Sequence, residues 1–593
     1  MCGICGELRF DGQAPDPATL QVMTERLARR GPDGSGRYTS GPVALGHRRL
    51  AVIDLSEHSA QPMQDEQAGL VLVFNGTIYN FPELREALRA KGYTFTSTGD
   101  TEVILKAYAE WGEDCPRHLQ GVFAFAIWDT ARRRLFLARD RFGIKPLYYC
   151  ITPDSFRFAS TSQALLAGGG IDTTIDPVGL HRHLTLHAVV PAPRTLLRGV
   201  RKLAPAHSLC LHPDRQKTLR RYWQLEASPD RDKLSEWEWI EATHEALRRA
   251  VERRRVIADV PVGILLSGGL DSSLLVALLA EAGCSDLLTF SVGFEDEPEE
   301  KGNEFEYSDL VAELYDTRHH RIHIPNTEVL SRLPEAIDQM SEPMVGQDSV
   351  AFFLLGERVS QQVKVVQSGQ GADEVFAGYF WYRQMQAEQG TDIERFRHLY
   401  FDRTQDELQR TVSGRYQGPD YTKPLVEHGL AALHHRQFLN RVLAYDVTTL
   451  IVDDPVKRVD NMTMAWGLEA RVPFLDQELV ELVCGMPPEI KLKSGGKHPL
   501  KVIARDLLPD VVIDRPKGYF PVPSLKYVRG ETLAFMRDLL DSRACRERDL
   551  FSRTGVAALL KDPEQAHTPL MGSKLWHLAL LELWLQRNVD ISP

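Results

Sequence analysis

Two short stretches of this 593-residue chain combine residue types that do chemistry. The first is Met1-Cys2-Gly3-Ile4-Cys5-Gly6, where loss of one methionine would make Cys2 the N-terminal residue. A cysteine in that position has a strongly nucleophilic thiolate, and its own α-amine, with a pKa near ~8, can serve as the base. This is equipment for attacking an amide carbonyl, given oxyanion donors and a substrate anchor nearby. The second is Ser267-Gly268-Gly269-Leu270-Asp271-Ser272-Ser273, which follows a buried apolar run and opens a helix. Its glycines let backbone N–H groups approach an anion, its serines add hydroxyl donors, and a helix N-terminus favours negative charge. It lacks the lysine of the GxxxxGK[ST] loop. Asp271 would repel phosphate unless a cation lay between them, which implies Mg²⁺. Together the stretches point to nitrogen taken from an amide and joined, with ATP, to a carboxylate.

Further residues could complete each site. Asn75-Gly76 is expected to close the strand Val71-Leu-Val-Phe74, offering a side-chain amide and a backbone N–H to an oxyanion. Arg49 could fork onto a carboxylate, and Asp100 could accept an ammonium, so the pair suits a free amino acid. A second Gly-rich loop, Val365-Val-Gln-Ser-Gly-Gln-Gly-Ala-Asp-Glu374, ends with Asp373. Asp271 and Asp373 at the ends of two parallel strands could clamp a metal-bound triphosphate. The structural alternatives are a hairpin turn at Asn75-Gly76 and helix-capping serines and aspartates in the two loops. Cys2 and Cys5 form a CxxC with no second pair or histidines to complete a zinc site, which leaves a redox dithiol as a competing reading.

The elements that must position these residues follow from patterning. Up to about residue 212 the chain reads as short strands with turn signals, and helices are expected over 82–91 and 102–111. Residues 213–238, rich in proline and charge, read as a linker. From 239 to 593 helices alternate with β-branched runs, including Val260-Pro-Val-Gly-Ile-Leu-Leu266, Leu287 to Phe294 and Val363 to Gln367. That alternation predicts a parallel sheet. After about Gln384 helices dominate, ending in an amphipathic Leu575–Leu585 stretch. The chain is too long for one core. Its net charge of −11 argues against nucleic acid as a main partner. Glu7, Arg9 and Asp11 interrupt any apolar leader, and no run is apolar enough for a membrane span, so a cytoplasmic, reducing setting is expected.

The motifs also carry a resemblance. Met1-Cys2-Gly3-Ile4-Cys5-Gly6, Arg30-Gly-Pro-Asp33, His47-Arg-Arg-Leu50, Phe74-Asn-Gly-Thr-Ile-Tyr-Asn80, Thr98-Gly-Asp-Thr-Glu102 and Arg139-Asp-Arg-Phe-Gly-Ile-Lys-Pro-Leu147 resemble the glutaminase domain of class II glutamine amidotransferases. The resemblance implies a four-layer αββα fold with an N-terminal nucleophile over residues 2–212. Cys2 would attack glutamine, and Asn75 with Gly76 would hold the oxyanion. Arg49, Leu50, Ala51, Val52, Ile53, Thr77 and Asp100 would line the glutamine, and Cys5 would only pack. The 267–273 loop resembles that of ATP pyrophosphatases. With Ala465-Trp-Gly-Leu-Glu-Ala-Arg-Val-Pro-Phe-Leu-Asp476 and Lys497-His-Pro-Leu-Lys501, it is similar to the synthetase domain of asparagine synthetases. An ATP-pyrophosphatase-like parallel-sheet domain with a helical C-terminal part is implied over 239–593. In it a carboxylate attacks the α-phosphate of ATP, and ammonia displaces AMP. Leu266, Ser267, Gly268, Gly269, Asp271, Ser272, Val292, Ser368 and Gly369 would contact ATP, and Lys501 would lie near its phosphates. The resemblance further implies an apolar tunnel between domains and, at the family level, a homodimer.

Asparagine synthetases usually carry Glu at the third position of Ser-Gly-Glu-Gly, where this chain has Gln370. A neutral residue there fits an acceptor whose amine is already acylated. Leu186-His-Ala-Val-Val-Pro-Ala-Pro-Arg-Thr195, Gly293-Phe-Glu-Asp-Glu297 with Glu304-Phe-Glu-Tyr-Ser-Asp-Leu310, and the 367–374 stretch resemble bacterial N-acetylglutaminylglutamine amidotransferases, which amidate a blocked dipeptide to an osmoprotectant. Two rivals remain: an asparagine synthetase acting on aspartate, and a glutaminase whose C-terminal half only regulates.

Overall fold

The structure, a computed structural model, describes residues 1–226, 234–298, 301–435, 437–515 and 522–590. The N-terminal part contains β1 (Gly3–Arg9), β2 (Gly34–Ser40), β3 (Val43–Arg49), β4 (Met63–Asp65), β5 (Leu70–Ile78), β6 (Gly121–Asp129), β7 (Arg134–Arg139), β8 (Tyr148–Ile151), β9 (Ser155–Ala159), β10 (Arg201–Lys202), β11 (His207–Leu211) and β12 (Lys217–Arg221). They form two antiparallel six-stranded sheets, ordered β10-β8-β9-β1-β3-β2 and β12-β11-β7-β6-β5-β4. β5 pairs with β6 from Leu70↔Asp129 to Ile78↔Gly121. Side-chain alternation then sends Val71, Val73, Ala124 and Ala126 into the layer between the sheets, with Ile4, Val43 and Phe158 from the other sheet. Leu72, Phe74, Phe123 and Phe125 face the opposite way, under the helices Phe81–Ala90 and Asp100–Trp111. The helices Pro17–Arg26 and Ser162–Ala167 cover the first sheet through Leu20, Met23 and Leu165. Helix, sheet, sheet and helix make the four expected layers.

Part of the stretch expected as linker is ordered structure. β12, within 213–238, pairs with β11 at Leu209↔Leu219. Its Lys-Thr-Leu-Arg-Arg sequence is that of a charged edge strand with one face in water, so it carries no apolar alternation. Ser235 caps the helix Glu236–Val256 in a reciprocal capping box with Glu238. Residues 227–233 of that stretch lie outside the described residues.

The C-terminal part contains β13 (Val262–Leu265), β14 (Leu288–Phe294), β15 (Arg318–Ile324), β16 (Val365–Gln367) and β17 (Glu469–Arg471), all parallel, in the order β15-β14-β13-β16-β17. The chain starts in the middle, builds outward through β14 and β15, then returns to build β16 and β17 on the other side. The reversal beside β13 opens a crevice at the carboxyl ends of β13 and β16. β15 is a strand that its Arg-His-His-Arg-Ile-His-Ile sequence does not announce, because an edge strand needs no apolar face on its open side. The helix Lys574–Asn588 is not amphipathic: every residue from Leu575 to Leu585 is buried, Glu582 included, which pairs with Arg548 at 3.1 Å. It runs through the centre of the helical layer, so no face is left for water.

The two parts meet through buried charge. Lys202 of the N-terminal part reaches Glu342 at 2.7 Å and Asp453 at 2.5 Å, and Lys457 reaches the same Glu342 at 3.3 Å. Arg30 and Lys145 converge on Asp460 at 2.9 and 3.2 Å. Removing one partner of such a network leaves an uncompensated buried charge, a loss of about 3–5 kcal/mol. Among the described residues no helix is long and apolar enough to cross a membrane.

Candidate active site

Cys2 sits just before β1 and is 7% exposed. Its backbone N–H donates to Asn75 Oδ1 at 2.9 Å. That bond fixes the orientation of the amide, and Asn75 Nδ2, fully buried, donates to no described residue. A buried amide with one end tied and the other unspent is a donor waiting for an acceptor. The strand does not close at Asn75-Gly76, as its sequence suggested: β5 runs through both residues, and Gly76 pairs with Phe123. Glycine is needed there for closeness, since a Cβ would lie 2.1 Å from the Val122 carbonyl oxygen. Burial pushes the Cys2 thiol up, and the chain's amino group, the Leu50 backbone N–H and the Arg49 charge pull it back. Replacing Asn75 by alanine should lower kcat for glutamine hydrolysis by about 10²–10³, the usual effect of losing one oxyanion donor. Glutamate release measures it, and a loss under tenfold would remove Asn75 from that role.

Arg49 ends β3 and donates to the carbonyls of Ser56, at 2.9 Å, and Asp54. The Asp54 carboxylate accepts from the Thr98 N–H at 2.8 Å, so one residue ties the Arg49 loop to the loop leading into Asp100. Asp100 opens its helix, is buried, and accepts from the Ile78 N–H at 3.0 Å. Burial raises its carboxyl to about 6, against the Ile78 bond and the chain's amino group. If Asp100 holds the substrate ammonium, protonation releases it, so kcat/KM for glutamine should fall as pH drops through about 6. A parallel profile with ammonium salt isolates the effect, and a glutamine profile flat through that range would sink the assignment.

The rest of the expected glutamine-lining segment faces the second domain. The Ala51 N–H donates to Asp33 at 2.8 Å, the Val52 carbonyl accepts from the Asp259 N–H at 2.8 Å, and Ile53 is half-buried. Thr77 Oγ1 donates to Glu469 Oε1 at 3.2 Å. Glu469 Oε2 also meets the Met1 amino group at 3.0 Å, and Arg471 Nε donates to its other oxygen at 2.7 Å. Burial alone would raise the Glu469 carboxyl, but Arg471, the amino group and Lys145 hold it well below the usual range. The Met1 side chain packs with Leu50 and Val52 on one side and Val365 and Met464 on the other. Glu469 and Arg471 belong to a family motif, yet only the fold brings them to the N-terminus.

Cys5 does not join Cys2. It is wholly buried on the helix side of the first sheet, 3.4 Å from Thr24 Oγ1, and burial pushes its thiol up to about 12. A reactive dithiol needs the opposite environment.

The second constellation lies at the crevice. Leu266 is buried, its N–H donating to the Phe290 carbonyl at 2.8 Å, and Val292 is half-buried further along β14. Ser267 N–H donates to Ser272 Oγ at 3.1 Å, and Gly269 N–H to Ser267 Oγ at 3.3 Å, which curls the loop into the helix Leu270–Glu281. Gly268 has φ +74°, and a Cβ there would lie 2.6 Å from the Ser308 nitrogen. The loop after β16 touches this one: a Cβ on Gly369 would lie 3.0 Å from Asp271 Cβ, and the Ser368 N–H is held by the Arg471 carbonyl at 2.8 Å. Asp271 and Asp373 come together on one ammonium, that of Lys497, at 2.5 and 2.8 Å. Burial would lower that lysine, but the two carboxylates raise it well above its ordinary value. Gly378 leaves room for the pair, since a Cβ there would fall 2.1 Å from Asp373 Oδ1.

Lys501 does not bond these carboxylates. It lies one turn along the helix His498–Ala504, donating to the Ser494 carbonyl, and burial with Lys497, Arg383 and Arg505 lowers its pKa. The lysine between the carboxylates is the other one in Lys497-His-Pro-Leu-Lys501. Arg515, paired with Glu304 at 3.0 Å, is a second cation beside the loop, 3.5 Å from where a Gly269 Cβ would stand.

Comparison with known proteins agrees with this layout. Residues 1–223 match the Glutamine amidotransferase domain and residues 242–586 match Asparagine synthase. The chain is 31% identical to "Asparagine synthetase [glutamine-hydrolyzing] 3" of Bacillus subtilis, with 100% of each chain covered. It is 31% identical to a "Putative asparagine synthetase [glutamine-hydrolyzing]" of Mycobacterium tuberculosis, covering 98% of this chain and 97% of that one. It is 29% identical to "Amidase chyE" of Penicillium rubens, over 83% of each. Among solved structures, the glutamine phosphoribosylpyrophosphate amidotransferase of B. subtilis matches 49% of this chain and 65% of its own, at TM-score 0.29 and 18% identity. The chain belongs to the asparagine synthase family, whose substrates include ATP, and is a C–N ligase that takes its amido nitrogen from glutamine.

Proposed function

We propose that this enzyme amidates a carboxylate activated as its adenylate, and that the acceptor is N-acetylglutaminylglutamine, giving an osmoprotectant amide. Once Met1 is removed, the free Cys2 amine takes the thiol proton and the sulfur attacks the glutamine side-chain amide. Asn75 Nδ2 and the Gly76 N–H receive the oxyanion. The C–N bond breaks, the amine-borne proton leaves with ammonia, and water hydrolyses the thioester to glutamate. In the other domain an acceptor carboxylate oxygen attacks the α-phosphorus of ATP, pyrophosphate leaves, and ammonia displaces AMP from the acyl carbon.

Asp271 and Asp373 would hold Mg²⁺. They are hard oxygen donors, and the Lys497 ammonium 2.5 and 2.8 Å from them marks the space between as one suited to positive charge. Bound there, the ion would neutralise polyphosphate charge. Lys497 itself can follow the charge that develops on the departing pyrophosphate.

Loss of Met1 supports a route for ammonia. Its side chain belongs to a buried apolar cluster with Leu50, Val52, Val365 and Met464, so excision would free apolar space between Cys2 and β16. An apolar wall favours neutral NH₃ over ammonium. A reducing, cytoplasmic setting and a homodimer complete the reading.

Gln370 carries the choice of acceptor. It is half-buried in the loop after β16, beside Ser368 and Gly369, and brings no charge for a free α-ammonium. The names of the curated relatives favour aspartate as the second reading. Enzyme given ATP, Mg²⁺ and glutamine should release AMP with N-acetylglutaminylglutamine and not with aspartate. AMP release with aspartate alone decides for the second reading.

A further inference from the structure

Three segments far apart in sequence converge on a largely buried group of metal-ligating side chains that neither site uses. We propose that His187, Asp402 and His577 form a site for one divalent cation of the Zn²⁺ type. His187 follows the helix Pro177–Thr185, Asp402 follows the helix Asp392–Tyr400, and His577 lies in the first turn of Lys574–Asn588. His187 Nδ1 is 3.5 Å from Asp402 Oδ1, and His577 Nδ1 is 3.5 Å from Asp402 Oδ2. One ligand atom from each residue lies within 4.8 Å of the others. Side-chain exposures are 16%, 0% and 1% respectively.

These atoms lack what buried polar atoms normally have. His187 Nδ1, both Asp402 carboxylate oxygens and both His577 ring nitrogens make no hydrogen bond of normal geometry to any described residue. Buried polar groups are satisfied in the large majority of cases, so one ligand atom from each of these three residues, gathered within 4.8 Å of the others, calls for a missing partner. Two imidazoles and one carboxylate are a Zn²⁺ donor set, whereas Mg²⁺ and Ca²⁺ prefer oxygen alone. The two imidazoles face different oxygens of the same carboxylate, each at 3.5 Å, so Asp402 stands between them.

The surroundings hold the group in place. The Asp402 N–H donates to the Thr185 carbonyl at 2.9 Å. The Arg403 guanidinium bonds the carbonyls of Leu184 at 2.9 Å and Lys574 at 3.0 Å, so one side chain pins all three segments. His187 and Ala188 have φ of +52° and +64°, a left-handed pair without glycine. Non-glycine residues in that region persist where their surroundings over-determine them. Gly572 leaves the space open, since a Cβ there would lie 3.0 Å from His577 Nε2 and 3.3 Å from His187 Cε1. A cation would cross-link the last part of the glutaminase half to two helical segments of the synthetase half.

The test is a calorimetric titration of chelator-treated full-length enzyme with ZnCl₂, in excess Mg²⁺ so that the carboxylates at the phosphate crevice stay occupied. One equivalent of Zn²⁺ should bind per chain and raise the melting temperature. His187→Gln, Asp402→Asn and His577→Gln should each weaken binding by at least about 100-fold and abolish the melting shift. Binding with undiminished affinity in these variants, or none in the parent, overturns the proposal and leaves a protonated His187–Asp402 pair. Should the variants fail to fold, X-ray absorption of the zinc-loaded parent decides. Imidazole and oxygen ligation supports the site, and sulfur ligation assigns the metal to a cysteine instead.

Discussion

A Cys2→Ala enzyme forms no product from glutamine and keeps its rate with ammonium salt. In the proposed reaction the thiol bonds the amide carbon, and the Cys2 N–H is held by Asn75 while the sulfur lies near the Leu50 N–H. Loss of a covalent nucleophile lowers turnover by at least about 10⁴-fold. Nothing at the crevice changes, because Asp271, Asp373 and Lys497 belong to helices and loops of the C-terminal part. Glutamate release and amide formation, measured with each nitrogen source, give the result. Glutamine-dependent synthesis within tenfold of the parent would remove Cys2 from the reaction.

Lys497→Ala stops adenylation with either nitrogen source, while Lys501→Ala is nearly silent. The first lysine is buried and bonds both carboxylates, Asp271 at 2.5 Å and Asp373 at 2.8 Å. A loss of about 10³-fold or more in acceptor-dependent pyrophosphate release follows from losing a preorganised cation at the leaving group. Lys501, bonded to the Ser494 carbonyl, lowers the rate by less than about tenfold on the same grounds. Reversed effects would mean that substrate binding rebuilds the crevice around Lys501. Circular dichroism on Lys497→Ala separates a folding failure from a catalytic one.

Much of the fold was legible in local patterning. The apolar run Val71-Leu-Val-Phe74 announced a strand, though not its continuation to Ile78, and the alternation of β-branched runs with helices announced a parallel sheet. What escaped were elements whose sequences answer to water or to distant neighbours. β12 and β15 are polar edge strands, and the last helix hides His577 and Glu582 in a setting that local periodicity cannot display.

The site divides in the same way. Sequence alone determined the chemistry on offer: a cysteine one residue from the amino end, Asn75-Gly76 near an arginine and an aspartate, and two loops carrying Asp271 and Asp373. These are properties of residue type and short spacing, and a chain keeps them however it folds. Only the tertiary structure decided that Lys497 and not Lys501 meets the carboxylates, that Glu469 faces the amino terminus across 468 residues, and that His187, Asp402 and His577 share one buried point. Those contacts join residues hundreds of positions apart, so they exist only once both sheets are packed and the helical layer has closed over them.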